Sequence, residues 1–289
     1  MAAPTSPSQP IQTVDPDSTP DSPDEERGSP FPPIRSVPAS APFGWLARGW
    51  SDLCRAPAAS LAYGAIFALM GWLVAFVFRL AYEYTSALSA GFLLVGPFLA
   101  TGLYDISRRL QRGERVRFSD TTTAWRENLG AFSLFSLVLT IIMLVWARAS
   151  LITFALFFSG GMPTLQSFLA QVVSIEHVDF LVTYFAVGAL FAAIVFAVSV
   201  VSVPMMLDRG TDTIVAALTS VRALFTAPLT LLVWALLIVL VIGAGFATFF
   251  IGLVVAVPVV GHATWHAYRS LVAEGVRDGS AIARAPSTE

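Results

Sequence analysis

Residues 58–80 read AASLAYGAIFALMGWLVAFVFRL, and this stretch decides the fold. Its one charged residue, Arg79, stands next to its far end. A helix that crosses a hydrocarbon core needs about 20 predominantly apolar residues, and this run supplies them. Comparable runs follow at Ala87 to about Tyr104, Leu129 to about Trp146, and Phe180 to about Met206. The last apolar block, Pro228 to about Val260, is too long for one helix. It reads as two spans, Pro228–Gly245 and Phe246–Tyr268, with Gly243, Gly245 and Gly252 offering a tight reversal. The expected fold is all-α: a polytopic membrane protein with about six transmembrane helices.

Composition agrees. Of 289 residues, 56% are hydrophobic and 12% charged, and mean hydropathy is +0.72. Roughly a quarter of an ordinary soluble domain is charged, so soluble, disordered and disulfide-scaffold classes are excluded for the bulk of the chain. Net charge is −2, which leaves no basic field to attract nucleic acid. All 17 basic residues are Arg. The single cysteine, Cys54, permits no intrachain disulfide.

Residues 1–42 are rich in Pro, Ser, Asp and Thr and lack the basic and apolar regions of a signal peptide. They are expected to form a disordered cytoplasmic tail, since they hold too little apolar surface to offset ordering entropy. Residues 276–289 are expected to form a second disordered tail, which leaves 43–275 as the membrane domain. Within 159–179, Leu165, Phe168, Leu169 and Val172 recur at helical spacing and suggest a short interfacial helix. Arg148 interrupts the third apolar run, so Leu151–Phe158 is expected to be shallow or re-entrant.

Six spans place both termini on one side. Arg108, Arg109, Arg112, Arg115, Arg117 and Arg126 crowd the loop after the second span. Arg209 and Arg222 follow the fourth span, and Arg269, Arg277 and Arg284 the sixth. The positive-inside rule makes these segments and both termini cytoplasmic.

The chain also repeats itself. Near its start, GWSDLCRAPAASLAYGAIF leads to GFLLVGPFLATGLYDISRRL; near its end, LTSVRALFTAPLTLLVWALL leads to GLVVAVPVVGHATWHAYRSL. In both, an amphipathic lead-in meets Ala-Pro, and the second span carries Gly, five residues, then Pro. A looser copy lies between them and closes on Val203-Pro204-Met205. The expected units are three hairpins with interfacial lead-in helices, at about 43–114, 115–210 and 211–275. Pro97, Pro204 and Pro258 sit late in the even-numbered spans, where each removes a backbone donor and frees a carbonyl one turn earlier.

These residues resemble the DUF2189 family of bacterial predicted integral membrane proteins. The resemblance runs through Gly49-Trp50, Ala56-Pro57, Gly96-Pro97-Phe98, Ser107-Arg108-Arg109-Leu110, Ser202-Val203-Pro204, Leu207-Asp208-Arg209 and the segment Gly261–Arg269. It implies a bacterial inner-membrane protein with no established activity.

Two constellations carry chemistry. His262 and His266 stand four apart, which on a helix sets both rings on one face, as a metal would require. Asp105 and Asp208 follow the even-span prolines and are expected at the same level, as carboxylates of a metal site or as structural partners. Arg108, Arg222 and Arg269, one per unit, are candidate ligands for an anion or lipid headgroup. Pro97, Pro204, Pro258, Asp105 and Asp208 otherwise read as structural residues.

No Walker A, GxSxG, HExxH or CxxC motif is present, so no catalytic or cofactor-binding residue is assigned. The expected function is non-enzymatic, in membrane assembly or lipid interaction, with the bilayer as principal partner and a homo-oligomer or membrane-protein partner as a further expectation. The alternatives are a small-solute transporter or channel, and a metal- or haem-binding protein using His262 and His266.

Overall fold

The computed structural model describes residues 31–81, 84–157 and 178–273. The expected interfacial helix at 159–179 and the C-terminal tail fall almost wholly outside these residues. The described elements are α1 (Ala41–Arg55), α2 (Pro57–Leu80), α3 (Thr85–Gln111), α4 (Phe118–Thr121) and a 3-10 turn (Ala124–Asn128). There follow α5 (Leu129–Phe157), α6 (Val178–Ser199), α7 (Ser202–Arg209), α8 (Thr213–Thr226), α9 (Pro228–Ala247) and α10 (Leu253–Leu271). Among the described residues the only extended pairing is an isolated bridge, Ile34 to Val272.

Among the described residues, five helical stretches are long and apolar enough to cross a membrane: Pro57–Leu80, Ala87–Gln111, Phe118–Phe157, Val178–Arg209 and Pro228–Ala247. The sixth expected span corresponds to α10, 19 residues long, which is less apolar because His262, His266, Tyr268 and Arg269 fill its second half. That half faces protein: His262, Trp265, His266 and Tyr268 are all buried. Elsewhere large apolar side chains lie open, among them Leu69, Phe76, Leu144, Val182, Leu236 and Val239. In water such a surface would be untenable; against acyl chains it is already solvated.

The packed core sits at one end of the helices. Trp45 of α1, Met206 of α7, Ala216 and Ala223 of α8, and Trp265 and Tyr268 of α10 belong to one buried cluster. Local chemistry explains the joints that bring these elements together. Pro57 disfavours helical backbone at the residue before it and lacks the N–H that α1 would need to continue. Ala56 therefore adopts φ −133°, ψ 58°, and α2 restarts with Pro57 in its first turn. Ala227 before Pro228 adopts φ −134°, ψ 58°, so α8 meets α9 through the same joint. Asp212 opens α8 by accepting from the backbone N–H groups of Ile214 and Val215 at 2.9 and 3.0 Å.

Several sequence expectations need correction. Residues 32–40, assigned to the tail, run along the core: Arg35 N donates to Leu271 O at 2.7 Å and Ala273 N to Pro33 O at 3.0 Å. Thr230 Oγ1 donates to Val37 O at 2.8 Å. Hydropathy misses this because the stabilising groups are backbone. The second span extends to Gln111, so Asp105, Arg108 and Arg109 are helical rather than part of a loop. The fourth span breaks at Val200–Val201, where Pro204 cannot donate to the Val200 carbonyl. Helix α5 runs unbroken through Arg148 to Phe157, so no re-entrant segment begins before residue 158. At 1.5 Å per residue, Arg148 lies roughly 29 Å beyond Leu129, about the full hydrocarbon thickness, and its side chain is exposed.

The reversal between α9 and α10 occurs at Thr248–Gly252, and its left-handed residues are Phe249 (φ 53°) and Phe250 (φ 67°). Gly245 and Gly252 serve close approach instead, whereas a Cβ on Gly243 would meet nothing within 4 Å. A Cβ on Gly252 would press on Thr248 Oγ1 at 2.5 Å and on Gly245 Cα at 3.0 Å.

Pro258 frees the Val254 carbonyl, and that carbonyl sits directly over Gly64 of α2, where an added Cβ would overlap it. Overpacking of this kind costs about 1–3 kcal/mol or more. Gly64→Ala is therefore expected to lower the unfolding temperature in detergent clearly. Gly91→Ala, whose Cβ would meet nothing within 4 Å, is expected to leave it unchanged or raise it. Equal behaviour of the two variants in a thermal melt would refute this account of the α2–α10 contact.

Candidate functional site

The polar face of α10 is matched by α1, α2 and α3. His262 Nε2 lies 2.9 Å from Ser60 Oγ on α2, and its Nδ1 lies 2.9 Å from Ser107 Oγ on α3. His266 Nε2 lies 2.8 Å from Asp52 Oδ2 on α1, and its Nδ1 lies 3.4 Å from Gln111 Nε2 on α3. Asp52 and His262 are buried, at 4% and 0% exposure, so each polar atom needs its partner.

An ionised carboxylate only accepts, and this orients the proton assignment. His266 Nε2–H donates to Asp52, and the Gln111 amide donates to Nδ1. The two ring nitrogens of His262 lie between the Ser107 and Ser60 hydroxyls, either of which can donate or accept.

A second cluster lies at the C-terminal end of α3. Arg108 donates through Nε to Asp105 Oδ1 at 2.9 Å and to both oxygens of Glu127 at 3.0 and 3.1 Å. It also donates to the Leu207 carbonyl at 3.0 Å. Arg109 Nε binds the other Asp105 oxygen at 2.6 Å. Asp105 is fully buried, and two guanidiniums neutralise it. A third cluster joins α7 to α10. Tyr268 donates to Asp208 Oδ2 at 2.7 Å and accepts from Arg209 Nε at 2.9 Å, while Arg269 Nη1 lies 3.3 Å from Asp208.

The expected sites can now be placed. His262 and His266 share a face of α10, but the carboxylate beside them is Asp52. Asp105 and Asp208 are held in the Arg clusters. All four imidazole nitrogens meet side chains of this chain, and among the described residues no group of three His, Cys, Asp or Glu side chains converges. Arg108 reaches the Leu207 carbonyl of α7 and Arg269 reaches Asp208 of α7, whereas Arg222 stands exposed on α8. Pro97, Pro204 and Pro258 are all buried. Ser60, Ser107, Gln111 and Glu127 were not singled out from the sequence. A signal existed for two of them: Ser107 and Gln111 are four apart on α3, the same interval as His262 and His266.

The fold and these interhelical polar clusters define a polytopic all-α integral membrane protein. Residues 84–208, from α3 to α7, match the DUF2189 family, described as a predicted integral membrane protein. No curated protein and no solved structure matches the chain.

Burial by itself raises the Asp52 carboxyl, but hydrogen bonds from His266 and Ser107 and the nearby imidazoles outweigh it, holding the group below its ordinary range. The unfolded chain therefore binds this proton more tightly. The stabilisation is present in full above the unfolded value, near pH 4, and is lost as pH falls through the lower folded value. Asp52→Asn is expected to lower the unfolding temperature at pH 7 and to flatten its decline below about pH 4. A double-mutant cycle with His266→Ala should return a coupling of about 1.5–3 kcal/mol, the range for a hydrogen bond to a charged group. Additive losses would show that the two side chains do not interact.

Proposed function

We propose that this protein is a non-enzymatic component of the bacterial inner membrane, acting in membrane assembly or lipid interaction, with both termini cytoplasmic. The observation that carries the reading is the commitment of its buried ionisable groups to one another. Asp52 with His266, Asp105 with Arg108 and Arg109, and Asp208 with Arg269 tie helices together. An enzyme would instead present a paired acid and base to a substrate-sized cavity.

The repeat supports a scaffold role. Ala56–Pro57 and Ala227–Pro228 adopt the same dihedrals within a degree, as two copies of one lead-in-plus-hairpin unit would. Sidedness rests on Arg placement. Arg108, Arg109, Arg209 and Arg269 gather at the end where α3, α7 and α10 meet, and Arg79 and Arg148 lie towards the other ends of α2 and α5. The transporter or channel reading draws less support, because the carbonyl freed by Pro258 packs on Gly64 instead of lining a vestibule. A metal or haem at His262 and His266 would have to displace Ser60, Ser107, Asp52 and Gln111.

Topology reporters test the orientation. A fluorescent protein fused after Glu289 is expected to fluoresce, and alkaline phosphatase inserted near residue 165 is expected to be active. The reverse pattern would overturn the assigned sidedness. Purified protein in liposomes is expected to give no protein-dependent flux of small solutes, and such flux would replace this reading with the transporter.

A further inference from the structure

The seam between α2 and α3 carries two recesses of opposite character. The first, about 560 Å³, lies beside the joint of α1 and α2 and is lined by Arg55, Leu110, Glu114, Arg115 and Arg117 among others. Arg55 Nη2 is held on the Leu110 carbonyl at 3.3 Å and its Nη1 lies 3.9 Å from Asp52 Oδ1, and Glu114 faces Arg109 at 3.6 Å. Arg115 and Arg117 form no ion pair or side-chain hydrogen bond among the described residues. The recess is therefore net positive, with two guanidiniums whose donors are uncommitted.

The second recess, about 460 Å³, is apolar and is lined by Tyr63, Ile66, Phe98, Leu99, Phe118 and Trp125 among others. The two are consecutive along the same seam. Ala56 borders the first and Tyr63 the second, two turns on, or about 10 Å deeper along α2. Arg117 lines one and Phe118 the other, so the 114–118 segment crosses between them. Trp125, at the edge of the apolar recess, carries Arg126 over its ring at 5.3 Å. An amphipathic aromatic beside Arg is the pairing expected where hydrocarbon meets headgroups.

A charged recess stacked outward of an apolar one has the polarity of a single lipid standing in its leaflet. We propose that this seam binds an anionic glycerophospholipid, its phosphate held by Arg55, Arg115 and Arg117 and one acyl chain lying along Tyr63, Leu99 and Phe118. Guanidinium forks bind phosphate oxygens through paired N–H donors. Charge complementarity selects the anionic class, since a zwitterionic headgroup brings its own cation to a recess already positive. This rests on the lipid-interaction reading above and names the lipid class and the residues, which differ from Arg108, Arg222 and Arg269.

The test is native mass spectrometry of the full chain, purified in detergent and given equal amounts of dioleoylphosphatidylglycerol and dioleoylphosphatidylcholine. The wild type is expected to retain phosphatidylglycerol preferentially. Arg115→Ala/Arg117→Ala should reduce that retention by about thirtyfold, in line with the attraction of two Arg near an anionic surface. Val95→Trp, which fills the apolar recess, should reduce it without lowering the unfolding temperature. The control Arg48→Ala/Arg112→Ala removes the same charge elsewhere and should change little. Equal retention of both lipids, or equal losses in the two double variants, would overturn the proposal. Displacement by millimolar inorganic phosphate would also overturn it, by reassigning the recess to a free anion. Phosphatidylglycerol retained undiminished by Arg115→Ala/Arg117→Ala removes this site and leaves the lipid-interaction reading standing. A protein that retains no lipid removes both.

Discussion

One buried carboxylate constrains the end of the helix bundle where the core sits. Asp52 is on α1, outside the long apolar spans, yet it is 4% exposed. An ion so placed is costly unless it is fully partnered. His266 and Ser107 supply the partners, and they come from α10 and α3. Meeting the needs of this one anion therefore fixes α1 against two other helices. His262 carries the polar seam on from Ser107 to Ser60 on α2. Four helices share one polar seam, and its register is set by the helical interval that spaces the two histidines.

Backbone sterics set the complementary constraint. Proline works in two ways here. At Pro57 and Pro228 it ends one helix and begins the next, which lets lead-in helices cap the core while α2 and α9 run outward. At Pro258 it removes an internal donor instead. The exposed carbonyl must then be covered in a place without water, and Gly64 lets α2 approach closely enough to do so. The same helix, α10, thus meets α3 through side chains, and α1 and α2 through backbone as well, since Gly49 of α1 lies against the Val259 carbonyl.

The Arg residues divide into two populations that sequence position does not separate. Arg108, Arg109, Arg209 and Arg269 are bound into ion pairs or hydrogen bonds with side chains, where they hold α3, α7 and α10 together. Arg115 and Arg117 remain outward and uncommitted. The former are structural because their acceptors, carboxylates for Arg108, Arg109 and Arg269 and the Tyr268 hydroxyl for Arg209, lie within a helical turn or on another element. The latter lie on the 112–117 segment, where Glu114 faces Arg109 and the Asp120 carboxylate accepts from Ser119.

The sequence alone was enough to determine the class and most of the helices, since hydropathy over 20 residues reports a sum that no single contact can reverse. The Ala-Pro joints were equally legible, because proline acts on its own neighbours. The pairing of His262 and His266 on one face followed from helical periodicity. What those rings meet did not, because Asp52 and Ser60 are about 200 residues away in sequence and only the packing of α1 and α2 on α10 brings them there. Burial of Asp105 and Arg108 was likewise decided by tertiary structure. Their sequence reads as an exposed loop until Glu127 and the Leu207 carbonyl arrive from other elements to satisfy the charge.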